Sequence, residues 1–134
     1  MKNKQIKKLL ISKYGMECMA GTPITLRNIL TVHHIVPVRE GGKTTLENCV
    51  NFGHLYHSGV HVIEHYYPRV YWEYMRYLIY AKATGDWSKM FKWQRAIESL
   101  LKELNYEPKQ NIDGSWDYAM NENCKVLKKR KKQN

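Results

Sequence analysis

The spacing of apolar residues near the start of the chain predicts a short amphipathic helix. Within residues 5–14, four apolar side chains fall on one helical face, and lysines occupy the other. The four are Ile6, Leu9, Leu10 and Tyr14. Gly15 follows directly and is typical of the position at which a helix stops.

The chain between residues 16 and 36 is predicted to be extended in two stretches, which are residues 16–20 and 29–36, with a turn at residues 21–23 between them. The stretch from Ile29 to Val32 is β-branched and apolar, so it predicts a strand that leads into a pair of histidines.

A loop, a second strand and a helix are expected next. Pro37 and the pair Gly41-Gly42 interrupt regular structure and predict the loop. Residues 49–52 are predicted to be a short strand, and residues 54–65 a helix, although Gly59 is a weak helix former.

The second half of the chain has the pattern of a helical extension. Residues 69–83 and 87–104 carry large apolar side chains at helical spacing, with a turn at Gly85-Asp86 between them. We favour a helical core over base stacking as the reason for the aromatic residues here, because they recur at core-face spacing. Residues 106–123 show no clear periodicity, and residues 125–134 hold six basic residues.

Composition changes the picture by suggesting a partner. The chain has 134 residues and 43% hydrophobic residues, which suits one small globular domain. Its formal net charge of +10 favours a polyanionic partner, nucleic acid before membrane, with a merely soluble basic protein as the open alternative.

No apolar run is long enough to span a bilayer and no signal peptide is recognisable, so we expect a cytoplasmic protein. The scattered cysteines (Cys18, Cys49 and Cys124) are expected to be free thiols.

Two histidine clusters are the strongest chemical feature of the sequence. His33 and His34 end the predicted strand and should point to opposite faces, so that one can bind a metal while the other faces a different partner. His57 and His61 are four residues apart and share one helix face. A strand histidine with a helical pair makes a three-histidine site with open coordination positions, which is typical of a catalytic metal.

The order of these residues resembles the motif of the HNH endonuclease family. That motif has a His-His or Asp-His pair, Ile-x-Pro, a Gly-Gly loop, an Asn and a final helix that bears His; here it covers roughly residues 14–65. The chain is most similar to the small HNH proteins of phages and mobile elements, and its metal-ligand spacing is similar to that of colicin nuclease domains.

The resemblance implies a role for each matching residue. His33, His57 and His61 would be the metal ligands, and His34 would be the general base. Asn48 would hydrogen-bond across the loop and hold His34 in its working orientation. His54 and His65 match no motif position and are expected to be surface or phosphate-contact residues. The paired cysteines that hold a structural zinc in many members are missing, so no structural zinc is expected.

The fold implied by the resemblance is α+β, with a ββα-metal core, an N-terminal helix and additional C-terminal helices. We predict one nuclease domain over residues 1–105, with its motif core at about 14–65 and a helical extension at 66–105. Residues 106–134 are predicted to be an irregular, basic tail.

The function implied is metal-dependent hydrolysis of DNA phosphodiester bonds, by nicking or double-strand cutting. One divalent ion is expected; imidazole ligands favour zinc, nickel, cobalt or manganese over magnesium. Four basic residues around the motif are expected to contact the DNA backbone, each with a solvated charge as the open alternative. They are Arg39, Lys43, Arg69 and Arg76.

Two other functions stay open at this point. One is a DNA-binding protein with an HNH fold that does not cut. The other is a protein-interaction module, such as a phage packaging accessory or an inhibitor, which would bind its partner through the helices after Tyr66. Homing, restriction, packaging and defence are all compatible with the same site.

Overall fold

The computed structural model describes residues 1–16, 18–22, 29–110 and 116–120, with backbone alone for residues 107–110 and 116–120. The first part of the chain forms α1 (Asn3–Tyr14), β1 (Leu30–His34), a 3-10 turn (Val38–Glu40) and β2 (Cys49–Gly53). The rest forms α2 (His54–Tyr66), α3 (Pro68–Thr84), α4 (Met90–Glu103), β3 (Tyr106–Gln110) and β4 (Trp116–Met120). The predicted α+β class, with a ββα core and flanking helices, is confirmed.

The centre of the fold is an antiparallel hairpin of β1 and β2, in which His33 is paired with Val50 and His34 with Cys49. Because side chains alternate across a strand, the hairpin has two apolar faces. α1 covers one face and buries Ile6 and Leu10 against Cys49. The other face contributes Val50 and Phe52 to the main core under the C-terminal helices.

α2 follows β2 without a connecting loop, since Gly53 ends the strand and His54 begins the helix. The backbone N–H of His54 donates to the carbonyl of Ile29 at 2.8 Å, which ties the start of α2 to the start of β1. This junction fixes the position of the helix relative to the strand that carries the histidine pair.

α3 and α4 pack on α2 and complete the main core. Tyr71, Tyr74 and Leu78 of α3 are fully buried. Gly59 of α2 lies under α4, where a Cβ would come within 2.5 Å of Cδ1 of Leu101. The glycine that weakens the helix prediction therefore allows two helices to approach closely.

Two predictions of local structure in the folded core are wrong. Residues 18–20 turn instead of extending, because the N–H of Gly21 donates to the carbonyl of Cys18 at 2.8 Å. The last helix begins at Met90 and not at residue 87, because the Asp86 carboxylate accepts hydrogen bonds from the backbone and hydroxyl of Ser88 and holds a turn there.

The prediction of irregular chain after residue 105 is also corrected, since β3 and β4 form an antiparallel hairpin. Backbone hydrogen bonds join these strands, and β3 lies against α4 and β4 against α2, so the hairpin does not depend on a regular apolar alternation. The basic segment 125–134 and Cys124 lie outside the described residues. The boundary of a single domain at residue 105 stays a prediction.

Cys18 and Cys49 are buried free thiols, as expected. Among the described residues, no helix is long and apolar enough to cross a membrane.

Candidate metal centre

β1 and α2 bring together three histidines that are far apart in the sequence. His57 and His61 lie one turn apart on α2, and His33 approaches them from β1. Nδ1 of His33 is 3.2 Å from Nε2 of His57, which is 3.0 Å from Nε2 of His61. One nitrogen from each ring falls within 4.8 Å of the others, which is the grouping expected of ligands to one ion.

The remaining ring nitrogen of each histidine has its own partner. Nδ1 of His57 is 2.8 Å from Oγ1 of Thr31, which donates its proton to the carbonyl of Phe52 at 2.9 Å and therefore accepts from the imidazole. Nδ1 of His61 is 3.1 Å from a carboxylate oxygen of Glu64. In both rings the proton is placed on the outer nitrogen, so the lone pair of the inner nitrogen points to the shared centre.

The third ring is the most buried. His33 is 1% exposed, and its Nε2 lies 3.1 Å from the sulfur of Met75. Phe52 stacks on the imidazole at 5.5 Å between centroids.

Burial favours the neutral form of His33 and His57. Desolvation lowers the pKa of His33 well below its ordinary value, and charges on His57 and His61 lower it further. Desolvation, with the neighbouring histidine His61, lowers the pKa of His57 to about 4. Neutral imidazoles are the protonation state that binds a metal ion.

The geometry fits a divalent metal ion. Two nitrogens at about 2.0–2.1 Å from one tetrahedral ion lie roughly 3.3 Å apart, close to the separations of 3.2 and 3.0 Å found here. Convergent lone pairs at these distances are favourable when a cation lies between them. A group of three neutral nitrogen ligands suits zinc, nickel or manganese better than magnesium.

His34, the next residue on β1, faces a different partner, as the alternation of the strand predicts. Its Nε2 lies 2.9 Å from Oγ1 of Thr44, in the loop between the strands. The ring is half-buried, and desolvation lowers its pKa. When Thr44 accepts the Nε2 proton, Nδ1 carries the lone pair that a general base requires.

Asn48 ties the ends of that loop together. Its Oδ1 accepts from the N–H of Val36 at 2.9 Å, and its Nδ2 donates to the carbonyls of Val36 and Lys43 at 3.0 and 2.8 Å. In the described part of the chain, the side chain that reaches His34 is Thr44 and not Asn48. Asn48 therefore fixes the loop backbone that carries Thr44.

Gly42 supports the same loop. Its N–H donates to the carbonyl of Pro37 at 2.9 Å, and a Cβ at this position would collide with the carbonyl of Val36. The second glycine of the Gly-Gly pair is thus needed for the close approach of two backbone segments.

The four basic residues expected at DNA have different surroundings. The Arg39 guanidinium pairs with Glu64 at 2.7 Å, through the carboxylate oxygen that His61 does not use. Lys43 is exposed in the loop beside Thr44, and Arg69 and Arg76 are exposed on α3. Arg39 is therefore linked to the histidine cluster through Glu64, and contact of any of the four with DNA stays a proposal.

Four residues around the histidines were missed by the sequence analysis: Thr31, Thr44, Glu64 and Met75. Two of them had a detectable signal. Thr31 lies two positions before His33 and shares its strand face, and Glu64 lies three positions after His61 on the same helix face. Thr44 and Met75 reach the site through a loop and a helix whose placement the spacing does not reveal.

Comparison with known proteins agrees with the resemblance. The family model described as HNH endonuclease matches residues 16–52, which include His33, His34, Asn48 and most of β2. The comparisons with curated proteins and with solved structures found no match.

Proposed function

We propose, on the premise that residues 16–52 match the family model described as HNH endonuclease, that the protein is a divalent-metal-dependent endonuclease that hydrolyses DNA phosphodiester bonds. The observation that carries this proposal is the convergence of three imidazoles on one point, with His34 next to His33 on the same strand. The convergence uses His57 and His61, which lie beyond the matched segment and support the proposal independently of it.

The metal would be held by His33, His57 and His61 through the nitrogens that face one another. When bound, a divalent ion supplies positive charge that stabilises the charge developing on the phosphate and the leaving oxygen. Three neutral ligands leave the full charge of the ion in place, and open coordination positions remain for the substrate.

The protein's own part in the chemistry is proton transfer and positioning. His34 accepts a proton at Nδ1 from the water that attacks phosphorus, while Thr44 holds Nε2–H. Asn48 keeps the loop in place so that this pair does not have to be ordered during the reaction. Exposed basic residues, with Lys43 nearest in the loop, would hold the DNA backbone.

The nature of the substrate follows from charge and family. A net charge of +10 favours a polyanion, and an HNH domain implies binding to nucleic acid. We propose that the exposed basic residues contact mainly backbone phosphates, which carry no sequence information, and hence that cleavage has weak sequence preference.

The test is plasmid cleavage by the purified protein with zinc, nickel, manganese and magnesium in turn, together with metal analysis. We expect His34→Ala to abolish cleavage while metal and DNA binding are kept, because a general base acts in the transition state. His57→Ala and His61→Ala should each lose metal affinity, and His65→Ala is the matched control on the same helix.

The outcomes separate the alternatives. If His34→Ala lost its metal as completely as His33→Ala, the roles of the two histidines would be reversed. If the metal-loaded wild-type protein bound DNA but left it intact under all four ions, the protein would be a non-cleaving DNA-binding module. If it bound neither DNA nor metal, a protein-interaction role would be favoured instead.

A further inference from the structure

The contact between His33 and Met75 joins the histidine cluster to a helix outside the matched segment. Nε2 of His33 lies 3.1 Å from Sδ of Met75, across 42 positions of sequence. Both residues are 1% exposed, so water does not compete for either atom. Among the described residues, Met75 is the side chain that meets Nε2 at hydrogen-bond distance.

A thioether sulfur can accept a hydrogen bond but has no proton to donate. The close contact with Sδ is therefore favourable only when Nε2 carries the proton. A neutral imidazole has one N–H, so Nδ1 carries the lone pair when Nε2 is protonated. A hydroxyl or a water molecule at the same place would permit either tautomer, because each can donate as well as accept.

The surroundings of the ring keep this contact in place. Phe52 stacks on one side of the imidazole with 25° between the planes, and Tyr71 meets it edge-on at 6.3 Å between centroids. Met75 is one turn after Tyr71 on α3, and both are buried. A ring flip of His33 would place Nδ1 against sulfur and would need space that these aromatic rings occupy.

We propose that Met75 is a positioning residue that fixes the tautomer of His33, with Nε2 protonated and Nδ1 facing His57 and His61. α3 is then part of the metal centre as well as of the core. The inference rests on the proposed function in treating Nδ1 as a ligand atom. In the metal-free protein the contact between Nε2 and Sδ competes with the contact between Nδ1 of His33 and Nε2 of His57, which favours the opposite tautomer.

The test compares the wild-type protein with Met75→Leu, a near-isosteric change that keeps the packing and removes the acceptor. Met90→Leu is the matched control, because Met90 is a buried methionine whose sulfur contact is Tyr74 and not a histidine. The measurements are ¹⁵N NMR of the His33 ring in the metal-free, full-length protein, and calorimetric titration with zinc chloride. A thermal unfolding curve for each variant checks that it is folded.

In the wild-type and Met90→Leu proteins we expect Nε2 to be the protonated nitrogen of His33. In Met75→Leu we expect signals of both tautomers and a zinc affinity roughly tenfold lower, as is usual when an outer partner of a metal ligand is removed. A merely structural role for Met75 would lower stability without changing the tautomer.

Two results would overturn the proposal: Nδ1 protonated in the wild-type protein, or Nε2 still the sole protonated nitrogen in Met75→Leu. A wild-type protein with the expected tautomer but no affinity for zinc or the other three ions would instead contradict the proposed function and leave the assignment of the tautomer standing.

Discussion

The outer partners of the three clustered histidines differ greatly in strength as acceptors. His61 faces a carboxylate, His57 faces a hydroxyl and His33 faces a thioether. A carboxylate raises the basicity of its imidazole, whereas a thioether adds little. We therefore expect His61 to be the strongest electron donor of the three and His33 the most dependent on being held in place by packing.

The contact between Thr44 and His34 leads to a prediction for the base. Thr44→Val keeps the shape of the side chain and removes the hydroxyl that contacts Nε2, which is the acceptor in the proposed mechanism. Loss of one hydrogen bond of about 1 kcal/mol should lower kcat about fivefold, with KM and metal affinity unchanged. Steady-state cleavage kinetics measures this. Thr44→Ser keeps the hydroxyl and should restore kcat; a Ser variant as slow as the Val variant would contradict the role given to Thr44.

The lowered pKa values predict how the metal-free protein responds to acid. The folded state resists protonation of His33 and His57, while in the unfolded chain both groups titrate near their ordinary pKa of about 6.5. Their contribution to stability is complete above about pH 6.5 and is lost as pH falls toward 4, because the unfolded state then binds more protons. The pKa of His57, lowered to about 4, limits the loss from this group to about 3 kcal/mol.

Urea unfolding with a chelator present, at several pH values between 7.5 and 4.5, measures this dependence. His57→Gln should be less stable overall but should lose less stability on acidification. A free energy of unfolding that stayed constant over this range in the wild-type protein would show that the two rings are not held neutral by the fold.

The residues of the site could be predicted from sequence where periodicity alone decides contact. His57 and His61 were selected because they are four residues apart on a predicted helix, and His33 because it lies at the end of a predicted strand. Thr44 and Met75 could not be found in this way, because their contacts depend on the path of a loop and the docking of α3. Asn48 was expected to orient His34, and the structure shows that it orients the backbone of the loop.

At the scale of elements, the approach of α4 to α2 depends on the absence of a side chain at one position. Gly59 lies where a Cβ would be 2.5 Å from Cδ1 of Leu101. Alanine would favour the helix by about 1 kcal/mol, but forcing Leu101 to move costs about 1–3 kcal/mol. We therefore expect Gly59→Ala to lower the free energy of unfolding by about 1 kcal/mol.

A double-mutant cycle checks the cause. In a Leu101→Ala background the clash is gone, and Gly59→Ala should instead stabilise the protein by up to about 1 kcal/mol. Denaturant titration of the four proteins gives the coupling directly. Equal effects of Gly59→Ala in both backgrounds would mean that Leu101 adapts without cost.

The elements that sequence patterns predicted best are those with a repeated apolar face. α1, α2 and α3 each have one, and their predicted positions are confirmed to within a few residues. β3 and β4 were not predicted, because the segment shows no clear apolar periodicity and backbone hydrogen bonds hold this hairpin together. Pro108, which has no N–H to donate, lies within β3 and is a weak strand signal in sequence.

For the molecule as a whole, net charge is the property that would set the proposed affinity for DNA. Six of its basic residues lie between Lys125 and Lys132. If they bind phosphates, deletion of residues 125–134 should weaken binding to any DNA sequence, and the slope of log affinity against log salt should become shallower by about 1 for each phosphate that is no longer neutralised. Cleavage at saturating DNA should be nearly unchanged, because the histidines lie elsewhere in the sequence.

Binding isotherms at several salt concentrations measure the effect. A full-length variant with Gln at the six basic positions separates charge from length and should behave like the deletion. Identical salt slopes for all three proteins would place the DNA-binding charge on residues 1–124.

The distance along the chain between His33 and Met75 also has a consequence for timing during synthesis. The 42 positions that separate them take about 2–8 s to translate at ordinary rates of elongation. Throughout that interval, the nascent chain contains the His-His pair but lacks the residue that holds the first ring in its metal-binding tautomer. The proposed metal centre would therefore reach its full affinity only after α3 has left the ribosome.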